Sequence, residues 1–297
     1  MTRAGFVAVI GAPNSGKSTL VNRLVGSKVS IVTRKVQTTR FPIRGVAAEG
    51  ESQMVLVDTP GIFAPRRRLD RAMVGAAVQH AREADVVVHL VDAGSAQAAR
   101  ADAGPPEGLN RPANEMILAL NKIDLKPRDA LLPITRSLFS KGAYGEVFMI
   151  SALDGDGVAA LKSRLAALMP PSPWFYPPDQ TGDLPVRMLA AEITREKLYD
   201  RVHQELPYAA GIETTNLREK PDGSIRIEQT IFVERQGQRA IVIGRDGQTL
   251  KSIGQASRRE LAAMLDRPVH LFLHVKVKEN WSEDRGLYQA MGLDFDA

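Results

Sequence analysis

Gly11 and Gly16 stand five residues apart in GAPNSGKST, residues 11–19, with Lys17, Ser18 and Thr19 directly behind them. Glycines there let backbone N–H groups close around phosphate oxygens. A following lysine reaches the terminal phosphates, and the hydroxyl after it can ligate Mg²⁺. The stretch Asn14, Ser15, Gly16, Lys17, Ser18, Thr19 is therefore the candidate phosphate grip. The bland alternative is a glycine-rich turn, which would need neither the lysine nor the hydroxyl. A second motif, VLVDTPG, offers Asp58 to hold the metal through water, then Thr59, Pro60 and Gly61, whose N–H can meet a γ-phosphate. Between the two lies QTTR, residues 37–40, where a threonine could complete the metal shell only while that phosphate is present. Read alone, that pair of threonines is weak evidence, and ordinary surface residues are the favoured reading.

A base reader follows in NKID, with Asn121, Lys122 and Asp124. A carboxylate offers acceptors only, and guanine presents N1–H and a 2-amino group as paired donors. Adenine shows a bare N1 acceptor at the same place, so Asp124 selects guanine over adenine. SAL, residues Ser151, Ala152 and Leu153, then supplies a loop whose Ala152 N–H can donate to guanine O6. In isolation it could equally be a plain strand-to-helix turn.

Residues in such roles must be held at strand ends. FVAVI, QMVLVDTP, DVVVHLVDA, MILALNKIDL and EVFMISAL read as buried strands, and four of them run straight into a motif. Strands alternating with helical stretches predict an α/β domain with a doubly wound, mostly parallel sheet and ligands at its carboxyl edge. The chain has 297 residues, 44% hydrophobic and 25% charged, which is room for two medium domains. It has no cysteine, which excludes disulfides and thiolate metal sites. No apolar run reaches the ~18 residues needed to span a bilayer, so a cytoplasmic protein is the expectation.

Residues 169–185, MPPSPWFYPPDQTGDLP, form a proline-rich linker, extended and semi-rigid. Its Trp174, Phe175 and Tyr176 could stack on bases or simply pack the linker against a domain face, and the second reading is favoured. The expected organisation is residues 1–170 as the nucleotide domain, 171–184 as linker, and 185–297 as a second domain with a short terminal helix.

The second domain reads as a helix, a hairpin around KPDG, a helix–glycine loop–helix and a final strand, PVHLFLHVKVK. The loop is Gly244-Arg245-Asp246-Gly247, a pattern that means little by itself. Its setting and charge raise it. Residues 171–297 carry a net charge of −2, yet residues 235–278 hold nine basic residues against three acids. Positive charge gathered around a glycine loop suits a nucleic-acid backbone and predicts salt-sensitive binding.

The five nucleotide motifs, in this order, resemble a small GTPase domain of the translation-factor-related class. The glycine loop in its helix–loop–helix setting resembles a KH domain of the prokaryotic (type II) topology. The pair, in this order and joined by a proline-bearing linker, resembles the Era family of bacterial GTPases over nearly the whole chain. That resemblance implies Thr39 as a Mg²⁺ ligand beside Ser18 and Asp58, with Lys17, Thr39 and Gly61 as catalytic residues and GTP and GDP as ligands. It implies a KH groove clamping about four nucleotides of single-stranded RNA through Ile243, Gly244, Arg245, Asp246, Gly247, Lys251 and Arg258. It further implies action in assembly of the small (30S) ribosomal subunit, on the 3′ region of 16S rRNA, by a monomer with peripheral association with the inner membrane. Asp246 within the loop is an electrostatic cost that the sequence does not explain. The Ala/Gly-rich stretch before NKID departs from the family's regular helix.

Many GTPases place a glutamine after the DTPG-type glycine to orient the attacking water; here that residue is Ile62. Slow intrinsic hydrolysis is the expectation, resting on Mg²⁺, Lys17 and backbone dipoles. Related GTPases with an apolar residue there recruit K⁺ through an asparagine matching Asn14. PRRRLDR, residues 65–71, could hold an arginine finger, although a solvated flank is the simpler reading. Two other readings compete: a constitutive RNA binder in which GTP only stabilises the fold, and a metabolic nucleotide kinase, which the base reader disfavours.

Overall fold

The computed structural model describes residues 1–297 except 34, 36, 100–103, 107, 141–142 and 203–209. The chain folds as two units, one of residues 1–183 with 288–297, the other of residues 184–287.

In the first unit, β1 (Arg3–Ile10) runs into the phosphate loop and α1 (Lys17–Val25). β2 (Ile43–Glu49), β3 (Ser52–Asp58), α2 (Arg68–Glu83), β4 (Val86–Asp92) and the short α3 (Ala96–Ala99) follow, then β5 (Met116–Asn121), α4 (Arg128–Phe139), β6 (Glu146–Ile150) and α5 (Val158–Leu168). The sheet order is β2-β3-β1-β4-β5-β6, parallel throughout except that β2 is antiparallel to β3.

Alternate residues of β1 show why the strands read as continuous apolar runs. Val7 and Val9 join Leu20 and Leu24 of α1 and Leu161 and Leu165 of α5 on one face. Ala8 and Ile10 join Ala81 of α2 and Leu131 and Leu138 of α4 on the other. A strand covered on both faces has no polar side to show. The doubly wound arrangement puts the carboxyl ends of β1, β3, β5 and β6 at one edge, and with them Gly11, Asp58, Asn121 and Ser151.

The linker packs on this unit, as the favoured reading of its aromatics had it. Trp174 Nε1 donates to the Glu51 carbonyl at 2.9 Å, and Phe175 stacks on Phe6 with ring centroids 5.4 Å apart. Gln53, fully buried, accepts the N–H groups of Phe175 and Tyr176 at 2.8 and 3.0 Å and donates to the Tyr176 carbonyl at 2.8 Å. Further on, the Val46 N–H donates to the Thr181 carbonyl at 2.9 Å, and Gly182 bridges to Gly45 of β2.

The second unit begins with α6 (Val186–Arg201) and the antiparallel pair β7 (Ala210–Glu219) and β8 (Ile225–Val233). Next come α7 (Gln236–Ile243), α8 (Gln248–Leu265) and β9 (Val269–Val277), which lies parallel to β8. Leu198, Ile231, Val233, Val242 and Ile253 form its core. This α-β-β-α-α-β order is the type II KH arrangement. α6 ends at Arg201, and residues 203–209 lie outside the described ones.

α9 (Arg285–Met291) leads into a terminal segment that packs with the first unit, where the sequence had grouped it with the second. The Arg68 guanidinium lies 4.3 Å from the Phe295 ring centroid, and Tyr288 meets that ring edge-on at 4.9 Å.

Candidate functional site

The turn out of β1 is built on left-handed backbone. Gly16 has φ +100°, and a Cβ there would sit 2.3 Å from Asn121 Nδ2. Only glycine allows the loop to lie that close to the base-reading strand. Lys17 opens α1 and is buried, its Nζ donating to the carbonyls of Gly11 and Ala12 at 3.2 and 3.0 Å. Burial lowers its pKa to about 8, against the opposing pull of the Asp58 carboxylate.

Three predicted ligands converge behind it. Ser18 Oγ donates to Asp58 Oδ2 at 2.7 Å, Thr39 Oγ1 donates to the same oxygen at 3.2 Å, and the two hydroxyls are 3.0 Å apart. Asp58 is fully buried, and desolvation raises its pKa although Ser18 and Lys17 oppose the shift. Its Oδ1 has no hydrogen-bond partner among the described residues. A buried carboxylate oxygen without a donor, beside two hydroxyls, is a hard oxygen donor set of the kind Mg²⁺ takes. The residues fit the ion.

β5 ends in the base reader, and its side chains splice three loops together. Asn121 Nδ2 donates to the Ser15 carbonyl at 2.8 Å, while its Oδ1 accepts the Ala152 N–H at 2.9 Å. Lys122, at φ +64°, donates to the Asn14 carbonyl at 2.8 Å and to Asp92 Oδ2 at 2.7 Å. The result is a cavity of about 520 Å³ lined by the phosphate loop at one end and Asp124 at the other. Leu125 and Leu153, 65% and 68% exposed, stand at the Asp124 end and offer apolar faces to a flat base.

Asn14, Gly16, Lys17, Ser18, Thr19, Thr39, Gly61, Asn121, Lys122, Asp124, Ala152 and Leu153 all line this cavity. Others work behind it. Thr59 Oγ1 donates to the Val9 carbonyl at 2.7 Å and sets the exit of β3, carrying Pro60 and Gly61 with it. Ser151 Oγ accepts the Asp154 N–H at 3.2 Å and shapes its own loop. Ser15 is buried with its hydroxyl unpartnered among the described residues. One expectation differs: the Ala152 N–H, assigned to a purine oxygen, is engaged by Asn121 instead. Ile62 packs on the apolar cluster beneath, and its N–H donates to the Gly11 carbonyl at 3.0 Å.

Sequence reasoning missed Asp92, Gln37 and Asp70. Asp92 carried one signal, an acid closing the apolar strand VVVHLVD. Gln37 and Asp70 lie within QTTR and PRRRLDR, but nothing in the sequence shows that they meet, because 33 positions separate them.

In the second unit, Gly244 ends α7 at φ +73° and Gly247 opens α8 at φ +75°. A Cβ at Gly244 would sit 2.1 Å from Thr249 Oγ1. Arg245 and Asp246 between them have side chains 97% and 85% exposed and pair weakly at 3.8 Å. Asp246 has φ +50°, the left-handed region that Asp and Asn tolerate best after glycine. This is the reason for an acid in the loop that the sequence left unexplained. Lys251 and Arg258 of α8 are exposed, and Ile243 is half-buried at the end of α7.

A phosphate loop, metal carboxylate and guanine-type base reader on a doubly wound sheet, followed by a glycine-loop α+β unit, define a P-loop GTPase joined to a KH domain. Comparison with known proteins agrees on both parts. Residues 6–122 match the 50S ribosome-binding GTPase family, and residues 205–282 match the KH domain family. GTPase Era of Caulobacter vibrioides is 64% identical over 99% of this chain and 98% of its own length, and that of Maricaulis maris is 55% identical over 99% and 98%. A crystal structure of Era in complex with MgGDPNP and nucleotides 1506–1542 of 16S ribosomal RNA superposes with a TM-score of 0.89 at 34% identity, covering 98% of this chain and 99% of that one. The chain belongs to the Era family of GTPases.

Proposed function

We propose that this chain binds GTP with Mg²⁺, hydrolyses it slowly, and uses its nucleotide state to gate binding of single-stranded rRNA near the 3′ end of 16S rRNA during small-subunit assembly. The observation that carries the reading is the meeting of Ser18, Thr39 and Asp58 at one end of a cavity whose other end holds Asp124. The solved Era complex supports the choice of both ligands.

Ser18, Thr39 and Asp58 would hold Mg²⁺, which supplies charge neutralisation on the β- and γ-phosphates. Lys17 turns from the loop carbonyls to the phosphates, and Gly61 presents its N–H to the γ-phosphate. Thr39, already beside Asp58 and Ser18, would complete the Mg²⁺ shell while the γ-phosphate is bound, and residues 37–40 would be released when that phosphate is lost. Ile62 holds no water, which leaves the nucleophile without a side-chain partner at that position and keeps turnover low. A K⁺ ion held by Asn14 would offset part of that loss. Exchanging K⁺ for Na⁺ at constant ionic strength tests this, and unchanged turnover excludes it.

The RNA half rests on the loop 244–247 with Ile243, Lys251 and Arg258, whose exposed charge suits phosphates and whose glycines admit close backbone approach. Calorimetry with GTP and ATP, on wild type and Asp124→Asn, tests the nucleotide reading. GTP preferred by at least 100-fold, and lost in the variant, is the expected result; equal affinity for ATP refutes it. Affinity for a 16S 3′-end oligonucleotide, measured with GDP and with a GTP analogue, tests the gating, and identical values would favour a constitutive RNA binder. Action as a monomer in the cytoplasm, peripheral to the inner membrane, is part of the family reading. Among the described residues no helix is long and apolar enough to cross a membrane.

A further inference from the structure

Most N–H groups of the loop that follows β6 are spoken for. The N–H of Ser151 donates to the Asp156 carbonyl at 2.9 Å, that of Ala152 to Asn121 Oδ1 at 2.9 Å, that of Asp154 to Ser151 Oγ at 3.2 Å and that of Gly155 to the Ser151 carbonyl at 2.7 Å. Of the N–H groups in this loop for which the described residues show no acceptor, those of Leu153, Asp156 and Gly157, only that of Leu153 belongs to a residue that lines the cavity. That N–H belongs to the same peptide unit as the Ala152 carbonyl. The Ala152 carbonyl accepts from Arg23 Nε at 3.3 Å, and the next carbonyl, of Leu153, accepts from Arg23 Nη2.

Arg23 comes from the last turn of α1, the helix whose first residue is the phosphate lysine. We propose that Arg23 is a positioning residue for purine recognition: it fixes and polarises the 152–153 peptide, whose N–H donates to the 6-oxo group of the base. A cation on the oxygen end of a peptide unit draws density from its nitrogen and strengthens the N–H as a donor. Holding two successive carbonyls also fixes the plane of that peptide, so the donor is preset rather than ordered on binding. The inference rests on the guanine reading above and names the donor that this reading lacked once Ala152 was found engaged. A merely structural Arg23 would complement the carboxyl end of α1 and affect stability alone.

The test is a two-by-two calorimetric comparison of wild type and Arg23→Ala with GDP and 6-thioguanosine diphosphate. The thio analogue keeps N1–H and the 2-amino group for Asp124 and replaces the oxygen acceptor with sulfur, a weak one. Wild type should prefer GDP over the analogue, and Arg23→Ala should narrow that preference roughly 5-fold, chiefly by weakening GDP. Arg23→Lys, which restores one cationic donor, should recover part of it, with the melting temperature tracking neither change. Equal weakening of both ligands, an unaltered ratio, or a wild type indifferent to the sulfur would overturn the proposal. A wild type that fails to prefer GDP over ADP would instead remove the guanine reading beneath it.

Discussion

Gln37 Nε2 donates to Asp70 Oδ1 at 3.1 Å, so one hydrogen bond ties the segment carrying Thr39 to the start of α2. The other oxygen of Asp70 accepts the N–H groups of Arg66 and Arg67 at 3.1 and 3.0 Å, capping that helix. A single buried carboxylate thus serves the helix end with one oxygen and the neighbouring segment with the other.

The two oxygens can be separated by mutation. Asp70→Ala removes a cap and should cost about 1–2 kcal/mol, read by urea unfolding. Gln37→Ala should leave unfolding within about 0.5 kcal/mol of wild type yet accelerate release of a fluorescent GTP analogue. If both variants lose stability equally, the bond from Gln37 is a packing feature only.

Asn121 joins two loops through buried groups, so its loss should exceed that of an ordinary surface hydrogen bond. Asn121→Ala leaves the Ser15 carbonyl and the Ala152 N–H unpaired and should cost about 2–3 kcal/mol in unfolding, with guanine-nucleotide affinity falling alongside. Melting curves with and without GDP separate the two effects.

A pH effect sits away from the nucleotide. His89 is buried on β4 with Nδ1 2.6 Å from the Tyr144 hydroxyl, and burial lowers its pKa to about 4, while burial raises that of Tyr144. The unfolded chain binds a proton near pH 6.5 that the native chain refuses until about pH 4, so stability falls as pH drops through that window. Wild type should lose about 2 kcal/mol between pH 7 and pH 5 from this group. His89→Asn, which cannot titrate, should lose correspondingly less in urea titrations at the two pH values.

In the KH unit the two loop glycines are not equivalent probes. Gly244 has a side chain 2.1 Å from its missing Cβ, while nothing lies within 4 Å at Gly247. Gly244→Asp should unfold the unit in part, whereas Gly247→Asp should keep the fold, at about 1 kcal/mol of backbone strain, and abolish RNA affinity. Arg245→Ala should weaken binding of every single-stranded RNA alike and lower the salt slope by about one. Fluorescence anisotropy across a salt series reads all three.

Much of this was legible in the chain. β1, β3 and β5 are buried on both faces and so read as unbroken apolar runs, each leading directly into its motif, whereas β6 is a half-buried edge strand that read the same way. β2 escaped notice because IRGVAAE offers a glycine and two alanines where a strand is expected to show branched residues, and its place is fixed by pairing to β3. The terminal segment was misassigned because contacts such as Arg68 with Phe295 join residues more than two hundred positions apart. The bond from the Ala152 N–H to Asn121 was not legible, since no spacing rule brings together two residues 31 positions apart.

The strip of linker laid along β2 has a practical corollary. Thr181 and Gly182 occupy the outer rim of the sheet, which would otherwise present bare N–H and C=O groups to any passing chain. A fragment cut at residue 170 exposes that rim and should self-associate through it. One ending at residue 184 keeps the linker residues that bond to Gly45 and Val46 and should stay dispersed.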